Sequence, residues 1–258
     1  MEYETITISK EGAVGIITIN RPQALNALNT KLVAELISVL GDFEKDDEVR
    51  CLVIAGSERA FSAGADIKEM ADMTAVQMAM TGHFFPLWDK LGRYPKPTVG
   101  ALSGFVLGGG LELAMSLDIL VASETTQLGQ PEIDIGVMPG GGGTQRLTRA
   151  VGKYKAMEMI LTGKRIGAEE AKTLGLVSRV VPKEACLEEA KKVANEIASK
   201  SPVAIKLAKM AVNKAFEMGL GDGIDFEREL FYLLFASQDA REGMKAFMEK
   251  RKPSFKGM

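Results

Sequence analysis

Residues 49–56, VRCLVIAG, leave the chain few options. From Cys51 they form an apolar run rich in β-branched residues, and a strand made from such a run must be covered on both faces. That happens where helices alternate with a largely parallel sheet. The neighbouring sequence has the same rhythm. YETITI at 3–8 alternates polar and apolar residues and reads as a strand, and AVGIITIN at 13–20 reads as a second, stopped by Arg21-Pro22. KLVAELISVLGDFEKD repeats its apolar residues at helical spacing, with Asn29 or Thr30 placed to cap it. TVGALSGFVLGG and DILVAS read as two further strands, with GGLELAMSL between them as a helix entered from glycines. The first half therefore predicts an α/β fold with right-handed crossovers.

From about Gly143 the composition shifts from β-branched residues to Ala, Lys, Glu and Met. TQRLTRAVGKYKAMEMILTG, GAEEAKTLGL, LEEAKKVANEIASK, PVAIKLAKMAVNKAFEM, IDFERELFYLLFAS and DAREGMKAFMEKR all read as helices, with SRVVP a short strand-like break. A helical C-terminal region packed on an α/β core is the expected organisation. Phe226, Leu230, Phe231, Leu233, Leu234 and Phe235 are more apolar residues than one helical stripe needs. They predict packing within the chain or a subunit interface.

Composition narrows the function. A 258-residue chain with 46% hydrophobic residues suits one large soluble domain, or one domain with an appendage. Its 32 basic and 34 acidic residues nearly balance, which gives no basic field for nucleic acid, though a local basic patch for an anion remains open. Cys51 and Cys186 lie far apart at no metal-ligand spacing, and a reducing compartment fits them better than a disulfide. His83 is the single histidine; it lies in MTGHFFPLW with no carboxylate within four positions, so it reads as a lining or surface residue rather than a catalytic base. No signal peptide opens the sequence, and no apolar run reaches the roughly 18–20 residues of a membrane span. A soluble, cytoplasmic protein is expected; a mature matrix protein without its presequence would look the same.

Two glycine runs remain, LGGGLE at 107–112 and PGGGGTQR at 139–146. Neither carries the Lys-Ser/Thr of a phosphate loop, and run-on glycines match a dinucleotide fingerprint poorly. Glycines at a helix start leave N–H groups unpaired and let a ligand approach the main chain. Where the anion forms only during reaction, such a place is an oxyanion hole. FSAGADIKEM at 61–70 supplies a second donor, so the N–H groups of Ala65 and Gly109 are candidates to share one oxygen. Glu112 follows in the first turn after the glycines, and Glu132 lies in GQPEIDIG after the next strand. Two carboxylates beside one dry pocket suit general acid–base work, because burial and repulsion separate their pKa values. Read singly, Glu112 is an ordinary first-turn acid and Glu132 an ordinary loop residue.

Taken jointly, RPQALNAL, FSAGADIKEM, GFVLGGGLELAMSLDI, QLGQPEIDIGVMPGGGGTQRL and EKRK resemble the enoyl-CoA hydratase (crotonase) family in order and approximate spacing, from about residue 5 to about residue 256. The resemblance implies a crotonase-like spiral of ββα units over residues 1–195. It implies a helical region at 196–258 that builds trimers, or hexamers as dimers of trimers, and acts as a lid. It implies an acyl-CoA thioester substrate whose carbonyl oxygen is held by Ala65 and Gly109 N–H, with Glu112 and Glu132 as the catalytic pair. It places Ala24, Leu25, Ala65, Asp66, Ile67 and Lys68 along CoA, with Lys68 near the phosphates, Gly140 beside the reactive carbons, and Lys250 near the CoA of another subunit. No metal or redox cofactor is implied; CoA belongs to the substrate.

Members that hydrate carry both acids, so the resemblance points to water addition across a trans-2-enoyl-CoA double bond, as in fatty acid β-oxidation. The alternatives are an isomerase, a hydratase of a dienoyl or cyclic acyl-CoA, or a non-catalytic CoA-binding or scaffold protein of the same fold. The sequence departs from the family at Leu111, where cysteine is common in close hydratases, at Gln23, where a basic residue is common, and at Gly141, where a side chain is usual and whose absence predicts a looser loop. The Met-rich stretch ending in HFFPLW predicts an adaptable apolar site for the acyl tail.

Overall fold

The computed structural model describes residues 3–81 and 85–258. Two sheets are threaded together. The first has six strands in the order β1 (Ile6–Glu11), β2 (Val14–Ile19), β3 (Cys51–Ala55), β5 (Thr98–Leu102), β7 (Ile119–Ser123) and β10 (Arg179–Val181). Only the β1–β2 pair is antiparallel. The second has four strands in the order β4 (Ala60–Ser62), β6 (Phe105–Leu107), β8 (Gln127–Gly129) and β9 (Arg165–Gly167), and only β8–β9 is antiparallel. The chain lays β3, β5 and β7 in one sheet and the strand after each, β4, β6 and β8, in the other. This is the crotonase spiral, an α/β fold.

The apolar run at 51–55 explains why the spiral holds. Along β3, Leu52 and Ile54 enter one core while Cys51, Val53 and Ala55 enter a second on the opposite face. Along β2, Ile17 and Ile19 take the first and Val14 and Ile16 the second. Helix α9 (Cys186–Ala198) covers the second core with Cys186, Ala190, Val193 and Ala194. Helices α1 (Thr30–Lys45) and α4 (Phe85–Gly92) cover the first with Leu32, Leu36, Leu40, Leu87 and Leu91. Each such aliphatic side chain contributes about 1.5–3 kcal/mol when fully buried. The cap of α1 is Asn29, whose Oδ1 accepts from Leu32 N–H at 3.0 Å. Both thiols are buried and free, and burial pushes Cys51 up to about 12.

Two expectations change. TVGALSGFVL is two strands in two sheets, because the chain turns at Gly104, where φ is +61°. A Cβ there would lie 2.0 Å from Arg59 O. Gly104→Ala is expected to cost about 3 kcal/mol or more and to lower Tm by roughly 10 °C, whereas Gly41→Ala on α1, with open space around it, holds or raises Tm. Thermal melts of the two variants beside the parent check this. The second change falls on TQRLTRAVGKYKAMEMILTG, which divides into α6 (Gly143–Val151) and α7 (Lys153–Thr162) at Gly152, whose φ of +79° no helix accepts. The three-residue strands β4, β8 and β9 were not read from the sequence, being too short for an alternating pattern.

After α8 (Ala168–Thr173) and α9 come α10 (Pro202–Lys214), α11 (Leu220–Leu234) and α12 (Gln238–Met248). Lys209 of α10 donates to Asp118 Oδ2 at 2.7 Å and to Lys96 O at 2.9 Å, tying the helix to the entry of β5 and β7. Asp239, buried, accepts from Ser201 Oγ and from the N–H groups of Lys256 and Gly257, pinning the C-terminal residues. On α11 only Leu230 is buried; Phe231, Leu233 and the C-cap residue Phe235 are more than half exposed. Among the described residues no helix is long and apolar enough to cross a membrane.

Candidate active site

Strands β4, β6 and β8 run parallel and side by side, so their carboxyl ends lie on one edge. Ligands of open α/β sheets gather at such edges. The three strands deliver the three segments singled out in the sequence. β4 leads to Ala65. β6 leads through Gly108 into α5 (Gly109–Ala114), which carries Gly109 and Glu112. β8 leads to Gln130 and the 3-10 turn Glu132–Ile135. Gly108 N–H donates to Gly129 O at 2.9 Å, locking the last two together.

Backbone donors come first. A Cβ built on Gly109 would stand 3.5 Å from Ala65 N, so the two peptide groups are neighbours. The parallel bridge Leu28–Ala65 spends the flanking groups: Leu28 N–H donates to Gly64 O and Asp66 N–H to Leu28 O, each at 2.7 Å. Among the described residues neither Ala65 N–H nor Gly109 N–H meets a backbone acceptor. Gly109 is the first residue of α5, where an N–H has no partner within the helix.

Glu112 is 3% exposed. Its Oε1 accepts from Gly141 N–H and Gly143 N–H, both at 2.7 Å. Burial raises its pKa above the ordinary carboxylate range, while those two N–H groups and the Arg146 cation pull it back. Glu132 lies against Gly108, where a Cβ would meet its Oε1 at 3.3 Å. Burial, with the charge of Glu112 added, raises Glu132 to about 7. With the amide of Gln130 turned so that its nitrogen faces Glu132, it donates to both carboxylate oxygens, at 2.7 and 3.1 Å. A protonated Glu132 can donate to the other end of the same amide, so one neighbour serves both protonation states.

The second glycine run is thereby explained. A Cβ on Gly141 would meet Glu112 Oε2 at 2.7 Å and the Trp88 indole at 2.8 Å. Gly142 has φ +102°. A Cβ on Gly143 would meet Gln130, Pro139 and Glu112 within 2.9 Å. The loop expected to be loose at Gly141 is held at both ends of that residue, because Gly141 O accepts from Arg146 Nη1 at 3.0 Å.

The other predicted contacts fall in two places. Ala24 ends a 3-10 turn, and Leu25 follows it in the left-handed region at φ +49°, with Leu25 O accepting from Ala63 N–H at 3.0 Å. Ala24 and Leu25 thus lie beside the Ala65 segment, where Asp66 pairs with Arg21 at 3.0 Å and Ile67 and Lys68 are exposed. Gly140 is exposed beside the Phe85 ring. Lys250, exposed at φ +55°, follows α12, and among the described residues no contact joins it to this site. His83 lies outside the described residues. Gln130, Arg146 and Trp88 were not picked out singly from the sequence. The available signals were a polar residue closing an apolar strand and an arginine one turn after a glycine run. Among the described residues no group of three or more His, Cys, Asp or Glu side chains could hold a metal ion.

Two carboxyls of raised pKa and the neighbouring peptide groups of Ala65 and Gly109 lie at one edge of a two-sheet spiral of the crotonase class. The chain belongs to the enoyl-CoA hydratase/isomerase family, whose sequence profile matches residues 9–258. It is 52% identical to a Mycobacterium tuberculosis protein named "Probable enoyl-CoA hydratase echA8", over 99% of each chain. It is 50% identical to the mitochondrial enoyl-CoA hydratase of Pongo abelii, over 98% of this chain and 88% of that one. A crystal structure of enoyl-CoA hydratase subunit I from Geobacillus kaustophilus superposes with a TM-score of 0.97 at 47% identity, covering 100% of both chains.

Proposed function

We propose that this protein is an enoyl-CoA hydratase, a hydro-lyase that adds water across the double bond of a trans-2-enoyl-CoA to give the 3-hydroxyacyl-CoA. The observation that carries the reading is the difference between the two acids: Glu112 fastened by two N–H groups beside a cation, Glu132 raised to about 7. The thioester oxygen accepts from Ala65 N–H and Gly109 N–H. With Oε1 of Glu112 occupied, Oε2 is left to take a proton from water as its oxygen bonds to the β carbon. The π electrons move toward the thioester, and Glu132 delivers a proton to the α carbon. The proton gained by Glu112 and the one lost by Glu132 balance, and no electrons leave the substrate, so the chemistry calls for no redox carrier.

Ala24, Leu25, Asp66, Ile67 and Lys68 lie along CoA in this reading, and Gly140 sits by the reactive carbons. Lys250 reaches the CoA of a neighbouring subunit. Residues 1–195 form the catalytic core and 196–258 the trimerisation and lid region, in a trimer or hexamer. The uncovered apolar face of α11 supports that assembly. Two free buried thiols fit a cytoplasmic enzyme.

Loss of the conjugated thioester absorbance of crotonyl-CoA, assayed beside 3-enoyl-CoA isomerisation and over a chain-length series, tests the function. Negligible hydration throughout the series would overturn it. The pH profile carries a further expectation. Hydration needs Glu132 protonated, so kcat/KM falls as pH rises through about 7. The reverse dehydration uses the same single proton on the pair, now carried by Glu112, so its kcat/KM follows the same profile and falls over the same interval. Because the acids interact, both limbs belong to the pair.

A further inference from the structure

We propose that Arg146 is a positioning residue of this site: it holds the 139–143 loop on Glu112 and supplies the cation that keeps Glu112 the base of the pair. This rests on the acid–base reading above.

Arg146 lies in the first turn of α6 and is half-buried. Its side chain turns back over the loop that precedes its own helix. Nη1 donates to Gly141 O at 3.0 Å, and the guanidinium occupies the space beside Gly142, where a Cβ would come 2.3 Å from Nη1. Gly141 is thus held from both sides. Its carbonyl is bound by Arg146, and its N–H is spent on Glu112 Oε1. The two peptide units that meet at Gly141 are thus each tied down, one to Glu112 and the other to Arg146. Gly143 N–H, at the start of the same helix, aims at the same oxygen. A guanidinium is a rigid fork, so its hold is directional in a way an ammonium's is not.

The charges around the pair are few. Among the described residues, Glu112 feels the charge of Arg146 from α6, Glu132 from the turn after β8 feels that of Glu112, and Arg146 feels those of Glu112 and of Asp89 from α4. The cation acts on Glu112 and not on Glu132, whose pKa is set by burial and by Glu112 itself. One positive charge on one side of a carboxylate pair separates two otherwise similar acids into a base and an acid.

The test is the pH dependence of crotonyl-CoA hydration in the full chain and in Arg146→Gln and Arg146→Lys, with Tm measured alongside. Arg146→Gln removes the cation, and the acid limb of kcat/KM should move up by about 1 pH unit. Arg146→Lys keeps the cation but loses the fork. Its acid limb should stay within a few tenths of the parent's while kcat falls about 10-fold, as a slightly misaimed base requires. An acid limb unmoved in Arg146→Gln, or rates that fall only in step with Tm, would overturn the proposal. If Arg146→Gln does not fold, Arg146→Lys decides alone, and a parental kcat there overturns it. A parent enzyme that does not hydrate, or one whose acid limb persists in Glu112→Gln, instead strikes the acid–base reading.

Discussion

Glu112→Gln should lower kcat/KM for crotonyl-CoA hydration by about 10²- to 10⁴-fold, the range a positioned acid or base supplies, with Tm unchanged. The fold is spared because glutamine keeps an oxygen where Glu112 Oε1 accepts from Gly141 and Gly143 N–H. What is lost is the second oxygen, the one able to take a proton. Glu132→Gln should fall in the same range for the complementary reason, since an amide beside Gln130 has no proton to deliver to carbon. The double variant should lose far less than the product of the two, because acids acting as a unit are not additive. Steady-state assays of the three variants decide it. Full activity in Glu132→Gln beside a dead Glu112→Gln would show that one acid does both tasks.

Gly109→Ala should be nearly as damaging and equally silent in stability. A methyl there meets Ala65 N and Leu28 at 3.5 Å and Trp88 at 3.7 Å, all ordinary contacts, and the backbone angle is not left-handed. The protein can therefore carry the methyl. Under the proposed mechanism the substrate cannot, because the methyl would stand beside Ala65 N, one of the two donors proposed to hold the thioester oxygen. Removing one donor from an oxyanion hole costs about 10²–10³ in kcat, and displacing the oxygen from both should reach the upper end. A parental Tm with kcat lowered to that degree is the expected pair of results. Undiminished kcat would remove Gly109 from the mechanism.

How much of this was legible beforehand varies by element. β3 was readable because an all-apolar, β-branched run admits one environment, and the two cores on its faces are that environment. The helix at 30–45 was readable from its period and its Asn29 cap. The break inside TVGALSGFVL was not, because Gly104 becomes obligatory only when the Arg59 carbonyl of another turn of the spiral is packed against it. The glycine run at 140–143 signalled close approach, but what approaches is Glu112, Trp88 and Gln130, each from a different element. Arg146 looked like any surface arginine one turn into a helix. Its role depends on a side chain folding back over its own loop, which no periodicity encodes.

Taken alone, the sequence determined which segments bury their side chains, where helices start and stop, and which motifs are present together. Those are local matters, settled by side-chain polarity and backbone preference within a few residues. The tertiary structure decided that Ala65, Gly109 and Glu132 meet, because β4, β6 and β8 pair in parallel and end on one edge. It also decided that Glu112 and Glu132 differ. A carboxyl's pKa follows from the water removed from it and the charges brought near it, and both are set by chain segments far away in sequence.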